Sequence, residues 1–583
     1  MTEQPGTSGA NRFPNAHCTG ASPAVAIGSV ALQLVCVALL LIAGCSRQED
    51  TGESMSSAWF EECAQACGID FRHVSGHVER HLMPEILGSG AALADFDGDG
   101  DLDAYIVQSG SLQPQAGAAV NADIGNRLYL NRGNGTFDEA PLAHGAADAG
   151  YGMGVAAADY DNDGDVDIYV TNVGSNVLLR NDGQGHFEDV AVAAGVDDAG
   201  WGTAATFLDL DADGDLDLFL VNYITWNPAI ESECGTTYCS PQFYDAPAPD
   251  HLYRNNGDGT FTDVSAAAGL TLAFGSGLGV VGADFDQDGR IDLFVANDGM
   301  FNQLWLNQGN LHFAEEAMLK GVAVDEHGSA KAGMGVAAAD VDDDGDVDLL
   351  VVNLAEQTDS FYRNEGSYFV DTTWESGLSA VSRKYTRFGV VLADFNNDGL
   401  LDLYEANGRI VPGEGSEGDV FAEPNILYRG LAEGRFEEVQ PSGGTALPLR
   451  HTSRGLAVGD VDDDGGLDLL VVNRDGPVYL LKNRVADRGN WLRFRVLVRS
   501  GRDAYGATVA ATIGTKRVQR DVQVTASYLA SNDPRVHFGL GSETRARDIT
   551  VRWADGVTEK FGDFEAGQII ELRRSAGNPS GGR

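Results

Sequence analysis

The sequence predicts an all-β protein: a seven-bladed β-propeller over residues 58–484, followed by a small C-terminal β-domain over 485–573. Three observations predict it. A nine-residue pattern, D-x-[DN]-x-D-G-x-x-D, occurs seven times, with starts 50–75 residues apart. Strand-type segments flank every copy. An element Phe-x-[Asp/Glu] also recurs at seven positions spaced as the loops are, stepped by one unit against them. Self-similarity at such a period marks a repeat architecture in which each unit is one supersecondary element.

Each unit reads as four short strands. A small-apolar run such as GSGAALA, GMGVAAA or GLGVVGA precedes the loop. A β-type run follows it, as in VDIYVTN, LDLFLVN and VDLLVVN. Short apolar runs rich in β-branched and aromatic residues read as strands. Segments such as NRLYLNRGNGTF and DHLYRNNGDGTF then place an Asn/Gly turn between two β-type stretches, which is a hairpin signal. Repeated four-stranded units with little helix indicate a propeller. The Phe elements are at Phe60, Phe137, Phe187, Phe261, Phe313, Phe369 and Phe436. Phe60 precedes the first loop and, within residues 58–484, no such element follows the seventh. A strand at Phe60 is therefore expected to complete the last blade, leaving no open seam.

The loops carry the chemistry. Loop one holds Asp95, Asp97, Asp99, Asp101 and Asp103; loop two, Asp159, Asp161, Asp163, Asp165 and Asp167. Loop three holds Asp209, Asp211, Asp213, Asp215 and Asp217; loop four, Asp284, Asp286, Asp288, Arg290 and Asp292. Loop five holds Asp340, Asp342, Asp344, Asp346 and Asp348; loop six, Asp394, Asn396, Asp398, Leu400 and Asp402; loop seven, Asp460, Asp462, Asp464, Gly466 and Asp468. Side chains at positions 1, 3, 5 and 9 can converge, with Gly at position 6 letting the backbone turn. Position 7 varies among Asp, Arg290, Leu400 and Gly466, so only its carbonyl is offered. Five or more hard oxygens around one point suit Ca²⁺, up to seven ions in all. An EF-hand needs a bidentate Glu at position 12 and flanking helices. Here position 12 is Ile106, Val170, Leu220, Val295, Val351 or Val471, with Glu405 the acidic exception, and strands flank the loops. Loop six carries the least charge and is expected to bind most weakly.

The net charge is −48, and 33 of the 87 acidic residues are Asp within the loops. Nucleic acid and anionic membrane surfaces reward Lys and Arg, so neither is an expected partner. Calcium would answer the charge where like charges crowd.

Residues 24–41 form an uncharged apolar run, followed by Ile42-Ala43-Gly44-Cys45 and polar Ser46-Arg47-Gln48. An apolar run ending in small residues reads as a signal peptide, here 1–44, with a linker over 45–57. The ending resembles the lipobox of bacterial lipoproteins, which implies lipidation at Cys45 and contact with the membrane through that anchor only. The implied location is the cell envelope, outer-membrane or periplasmic, or secretion. Four cysteines remain beyond this segment. An even number in an oxidising compartment points to two small-loop disulfides, Cys63/Cys67 and Cys234/Cys239, against four free thiols.

Residues 485–573 lack the aspartate loops and read as six or seven short strands, with a disordered tail over 574–583. The loops and flanks over 58–484 resemble the FG-GAP/VCBS repeats of integrin-like propellers. In the C-terminal region, Arg502-Asp503 with Gly506-Ala507, the block from Asn532 to Gly541 and Val551-Arg552-Trp553 resemble an ASPIC/UnbV domain. Together these resemble the bacterial relatives of cartilage acidic protein, which implies a secreted, calcium-binding propeller with a β-domain. This region is also locally basic, with Arg493, Arg495, Arg499, Arg502, Lys516, Arg517 and Arg520. Two readings stand: a strand face docked on the acidic propeller or solvated, and a site for an anionic partner.

His73, His77 and His81 recur every four residues before loop one, as turn hydrogen-bonders or as metal ligands. The longest insertion, 223–250, is aromatic and carries the second cysteine pair; another, at 409–424, is acidic and Gly-rich. Long loops of this kind are stabilised excursions or binding surfaces. No G-x-S-x-G, H-E-x-x-H or phosphate-cradling loop is present. The expected function is therefore a binding, adhesion or scaffold module for a protein or glycan at the cell envelope, not an enzyme. The alternative is an enzyme, or an accessory subunit of one, that uses the propeller face.

Overall fold

The structure, a computed structural model, describes residues 58–112, 124–235, 237–413 and 418–579. The signal segment and Cys45 lie outside the described residues. Seven antiparallel meanders repeat along the chain. The first is Ala91–Ala94, Asp103–Ile106, Arg127–Asn131 and Phe137–Glu139. The second is Gly152–Ala158, Asp167–Asn172, Val177–Asn181 and Phe187–Asp189. The third to sixth begin at Gly202–Leu208, Gly277–Ala283, Val336–Ala339 and Arg387–Ala393. The seventh is Arg450–Gly459, Asp468–Arg474 and Tyr479–Asn483, and its outer strand is Phe60–Glu62 from the far end of the chain. Phe60 pairs with Asn483 and Glu62 with Leu481. The N-terminal strand thus closes the seam, as the stepped Phe elements require.

The first strands of the seven sheets touch one another in cyclic order, the seventh against the first, so they line an axis. Their small residues permit this. A Cβ at Gly335 would stand 2.1 Å from the carbonyl oxygen of Phe388 in the next sheet. In an antiparallel meander the connections alternate between ends. Every aspartate loop joins strands one and two and lies on one face with the strand three–four turns. The segment directly before the first sheet and the described residues of the insertions at 223–250 and 409–424 lie on the other.

The C-terminal region forms two sheets. Asn490–Leu497 lies between Val536–Gly541 and Ile569–Arg573, pairing in parallel with the latter. The second sheet runs Lys516–Asp521, Thr508–Ile513, Arg545–Arg552, Thr558–Glu565 and Asn578–Pro579. Asn578 and Pro579, read from sequence as tail, pair with Lys560 and Glu559. One apolar cluster runs from Phe207, Leu210 and Ile291 of the propeller into Tyr505, Phe494 and Trp553, so the two regions share a core.

A tongue of residues 522–533 enters the axis. First strands at a propeller axis are edge strands with unpaired backbone groups. The tongue supplies their partners. Ser527 and Val336 exchange both backbone hydrogen bonds, at 2.6 and 3.1 Å. Ser531 donates to the Ala91 carbonyl and accepts from the Leu93 amide, both at 3.0 Å. The Asn532 side-chain oxygen accepts from the Val458 amide at 3.0 Å. Ser527 and Leu529 take left-handed φ values of 89° and 56° to follow this path. Tyr528 and Leu529 pack among Met153, Trp201, Met334 and Phe388.

Two substitutions test these joints. Phe60→Ala, at the seam, and Tyr528→Ala, at the axis, should each cost about 3–5 kcal/mol, the range for truncating a buried aromatic. A chemical melt followed by propeller tryptophans reads both. An unchanged propeller transition in Tyr528→Ala would show the tongue to be a passenger.

Candidate metal centres on the aspartate loops

The seven loops share one hydrogen-bond scheme. The position 9 aspartate opens the second strand and is buried (Asp103, Asp167, Asp217, Asp292, Asp348, Asp402 and Asp468). One of its oxygens accepts the position 2 amide at 2.9–3.2 Å. The other accepts the amide of a residue in the third strand at 2.7–2.9 Å. It clamps loop to sheet. The position 1 carboxylate accepts the amide of the position 6 glycine at 2.7–3.2 Å. The position 5 carboxylate accepts the position 7 amide at 2.8–3.0 Å. Position 7 is held by its backbone, which explains why its side chain varies.

Position 4 is a second pivot that the sequence reading missed. Gly98, Asn162, Ala212, Gln287, Asp343, Asn397 and Asp463 all have φ between 54° and 76°. The signal is weak because only one copy uses Gly, although Asn and Asp tolerate this region better than most.

The asparagine that ends the third strand was also missed. The side-chain nitrogens of Asn131, Asn181, Asn255, Asn307, Asn364 and Asn483 donate to the position 2 carbonyl of the preceding blade's loop at 2.8–2.9 Å. They also bond the position 8 carbonyl of their own loop. Each is a staple between adjacent blades. In the sixth blade Gly430 stands in its place, and a Cβ on its backbone would lie 2.1 Å from the Leu401 carbonyl oxygen. The repeated Asn was legible in the hairpin segments; its partner across the blade was not.

The loops bring carboxylates together as expected. Asp95, Asp97 and Asp99, and likewise Asp209, Asp211 and Asp213, each place three oxygens within 4.8 Å of one another. Asp159, Asp161 and Asp167 do the same, as do Asp284, Asp286 and Asp292. One oxygen each of Asp97, Asp161, Asp209, Asp284 and Asp342 is buried and accepts no hydrogen bond. A buried carboxylate oxygen without a donor is costly and points to a missing ion or water. Loops one to five therefore fit a hard cation.

Loops six and seven differ. In loop six the Asn396 amide and Arg429 both bond Asp398, each at 3.1 Å. In loop seven Arg493 meets Asp460 at 2.7 Å, Lys482 meets Asp462 at 2.6 Å and Arg488 grips Asp464 through two bonds of 2.9 Å. Its carboxylates at positions 1, 3 and 5 are answered by the chain's own cations.

The C-terminal domain covers this face. Arg495 lies 4.0 Å from Asp95, Arg502 donates to Asn162 and the Gly214 carbonyl at 3.0 Å, and Arg552 meets Asp284 at 2.8 Å. Lys516 and Arg520 approach Asp343, and His537 bonds Asn397 at 2.7 Å. Arg535 reaches Asp463 at 2.9 Å. Every loop is touched. The docking reading thus holds for Arg493, Arg495, Arg502, Lys516 and Arg520. Arg499 bonds Ser575 instead, and Arg517 bonds Thr550 and the Asp548 carbonyl.

Cys63–Cys67 and Cys234–Cys239 are disulfide-bonded, the second of them on the other face. The 223–250 insertion is packed down: Tyr238 and Phe421 join the axial cluster, and Glu231 accepts from Trp226 and the Met83 amide. The three histidines separate. His73 is buried, bonded to Ser109 and to the Asp475 amide, and burial lowers its pKa to about 4. His77 and His81 instead stack on each other beside Glu85, which the sequence reading did not single out.

An FG-GAP-like repeat model matches residues 95–170, 159–220, 243–295, 284–351 and 340–405. An ASPIC and UnbV model matches residues 497–579. The fold and site thus define an FG-GAP-repeat propeller protein. The chain carries an ASPIC and UnbV domain and five FG-GAP-like repeats and is homologous to cartilage acidic protein 1. It is 27% identical over 353 residues to the human protein, covering 59% of this chain and 43% of that one. It is 29% identical over 318 residues to the mouse protein, covering 53% and 47%. The chain thus spans less than half the length of these relatives. Among solved structures, the BP39L lectin of Burkholderia pseudomallei aligns with TM-score 0.41 and 10% identity, over 69% of this chain and 97% of that one. An Agrocybe aegerita protein solved for recognition of non-reducing terminal N-acetylglucosamine aligns with TM-score 0.36 and 16% identity, over 67% and 87%.

Burial pushes the loop carboxyls up: Asp159 and Asp209 to about 6, Asp340 and Asp394 to about 7, and Asp103, Asp217, Asp292 and Asp348 to about 8. Without metal, each holds its proton more tightly folded than unfolded. Their stabilising protonation is present near the unfolded pKa of about 4 and is lost as pH rises through 6–8. The buried imidazoles His73 and His537 act in the opposite sense below pH ~6.5 and are outnumbered. The chelated protein should therefore melt higher at pH 5.5 than at pH 8.5. A flat or rising melting temperature across that window would contradict the assignment.

Proposed function

We propose that the chain is a calcium-stabilised binding module, exported and lipid-anchored at Cys45, that presents a protein or glycan site on its insertion face and performs no catalysis. The observation that carries this is the covering of the loop face. The C-terminal domain touches every loop there and its tongue fills the axis, which leaves the opposite face and the rim for a partner. On the insertions of that face Phe243 is 70% exposed, Val411 57% and Val420 48%. Exposed apolar side chains on surface loops held by a rigid scaffold are the usual means of recognition.

Calcium in this reading is structural. Asp95, Asp97 and Asp99 and their counterparts in loops two to five would hold it, and it supplies charge neutralisation within the loop. Loop seven is neutralised by Arg493, Lys482 and Arg488, and loop six is lean in charge. Metal analysis after dialysis against micromolar free calcium should return about five ions per chain, by the division of the loops above. A value of seven would remove that distinction, and zero would remove structural calcium altogether.

Binding is tested with glycan and envelope-protein arrays in calcium, comparing the parent with Phe243→Asp/Val411→Asp. Saturable binding that falls at least tenfold in the double variant is expected. Full retention would move the site elsewhere, and turnover of a bound substrate would overturn the non-catalytic reading.

A further inference from the structure

We propose that His77, His81 and Glu85 form a binding site for one divalent d-block cation of the zinc, cobalt or nickel class, separate from the aspartate loops and independent of the function above. The three side chains each place one ligand atom within 4.8 Å of the other two. They come from a segment that is not a regular helix. Pro84–Leu87 is a single turn, and His77 and His81 precede it in irregular backbone, so the convergence comes from the fold and not from helical spacing.

The donor set distinguishes this site from the loops. Two imidazole nitrogens and one carboxylate oxygen suit zinc and its neighbours, whereas calcium takes oxygens alone. Donors 2.0–2.1 Å from one ion at a tetrahedral angle stand about 3.3 Å apart, so side-chain rotations of at most about 1.5 Å complete the site and leave a fourth position to water.

The surroundings hold the ligands in place. The imidazoles of His77 and His81 stack with centroids 4.7 Å apart and planes 10° from parallel. The Glu85 carboxylate is buried and accepts from His77 Nδ1 at 2.7 Å, from the Leu82 amide at 3.3 Å and from the Tyr238 hydroxyl at 3.4 Å. Tyr238 packs on His81 with centroids 4.7 Å apart and lies inside the Cys234–Cys239 loop. Ligating side chains are characteristically oriented by such neighbouring hydrogen bonds. Access remains open, since the His77 side chain is 30% exposed and that of Glu85 only 3%.

The hydrogen bonds of the neighbouring arginines go elsewhere. Arg474 donates to the Tyr238 hydroxyl at 2.9 Å and pairs with Asp475 at 3.2 Å. Arg80 is committed to the Glu231 and Pro228 carbonyls. The site would tie the segment before the first sheet to the 223–250 insertion, because Tyr238 belongs to one and bonds Glu85 of the other.

The test uses the full-length chain with the loops saturated by excess calcium. Zn²⁺ is titrated by calorimetry, and Co²⁺ is followed by its visible ligand-field bands. One equivalent is expected, with His81→Ala and Glu85→Gln each weakening binding at least tenfold and diminishing the Co²⁺ bands. His327→Ala, at an exposed histidine on the propeller, should change nothing. Each variant is first melted in calcium alone; should His81→Ala fail to fold, His77→Gln, on the solvent side, decides by the same tenfold criterion. Absence of a stoichiometric equivalent, or binding indifferent to these substitutions, would overturn the proposal.

Discussion

The constraint on which the structure depends is the crowding of like charge on one face of a ring. Seven loops place their carboxylates at one end of the sheets, and the whole chain carries −48. Two unit charges 4 Å apart repel by about 4 kcal/mol at an effective dielectric near 20. A fold that gathers so many such pairs must answer them locally. The cap does part of this. Its arginines and lysine approach the loops from outside, reaching side chains at positions 1 and 4, at position 5 through Arg488, and outward carbonyls. The inward oxygens of loops one to five are left without donors. The two kinds of neutralisation therefore address different atoms of the same loops and do not exclude each other.

The pairs are not equal in weight. Arg493 and Asp460 are both fully buried, so removal of either would strand a charge in a medium that cannot solvate it. Arg495 and Asp95, 4.0 Å apart with the arginine one-third exposed, gain far less. Loop seven is therefore the fixed anchor of the cap. It is also the loop whose blade is completed by Phe60–Glu62, so the seam and the anchor reinforce the same sector of the ring.

What was legible in the sequence follows from what repeats. The aspartate spacing, the position 6 glycine and the stepped Phe elements recur with constant chemistry, and the structure places them as their periodicity requires. Position 4 was hidden because left-handed backbone is reached there by Gly, Asn, Ala, Gln or Asp, with no shared side chain to betray it. The asparagine staple was visible as a letter but silent as an interaction, since its acceptor lies in the preceding blade. The tongue at 522–533 was not legible at all. It occurs once, and its partners are backbone groups of six blades that no local pattern names. Glu85 was overlooked because the four-residue rhythm drew attention to three histidines, one of which the fold buries elsewhere.

The cap changes what the propeller can be. A propeller whose first strands are satisfied only by each other leaves edge groups at its axis; here Ser527, Ser531 and Asn532 satisfy them from another region of the chain. The C-terminal domain is thus part of the propeller's hydrogen-bond inventory and not an appendage. Any ion that orders a loop also changes the surface that the cap grips, and by linkage the cap changes the loop's affinity for that ion by the same factor. The coupling should be greatest where the cap touches the position 1 carboxylate itself, as Arg552 does at Asp284, and least at loop three, where Arg502 reaches the Gly214 carbonyl. The basic strand face therefore tunes the acidic loops beneath it, and the proposed recognition surface is left to the irregular segments on the far side.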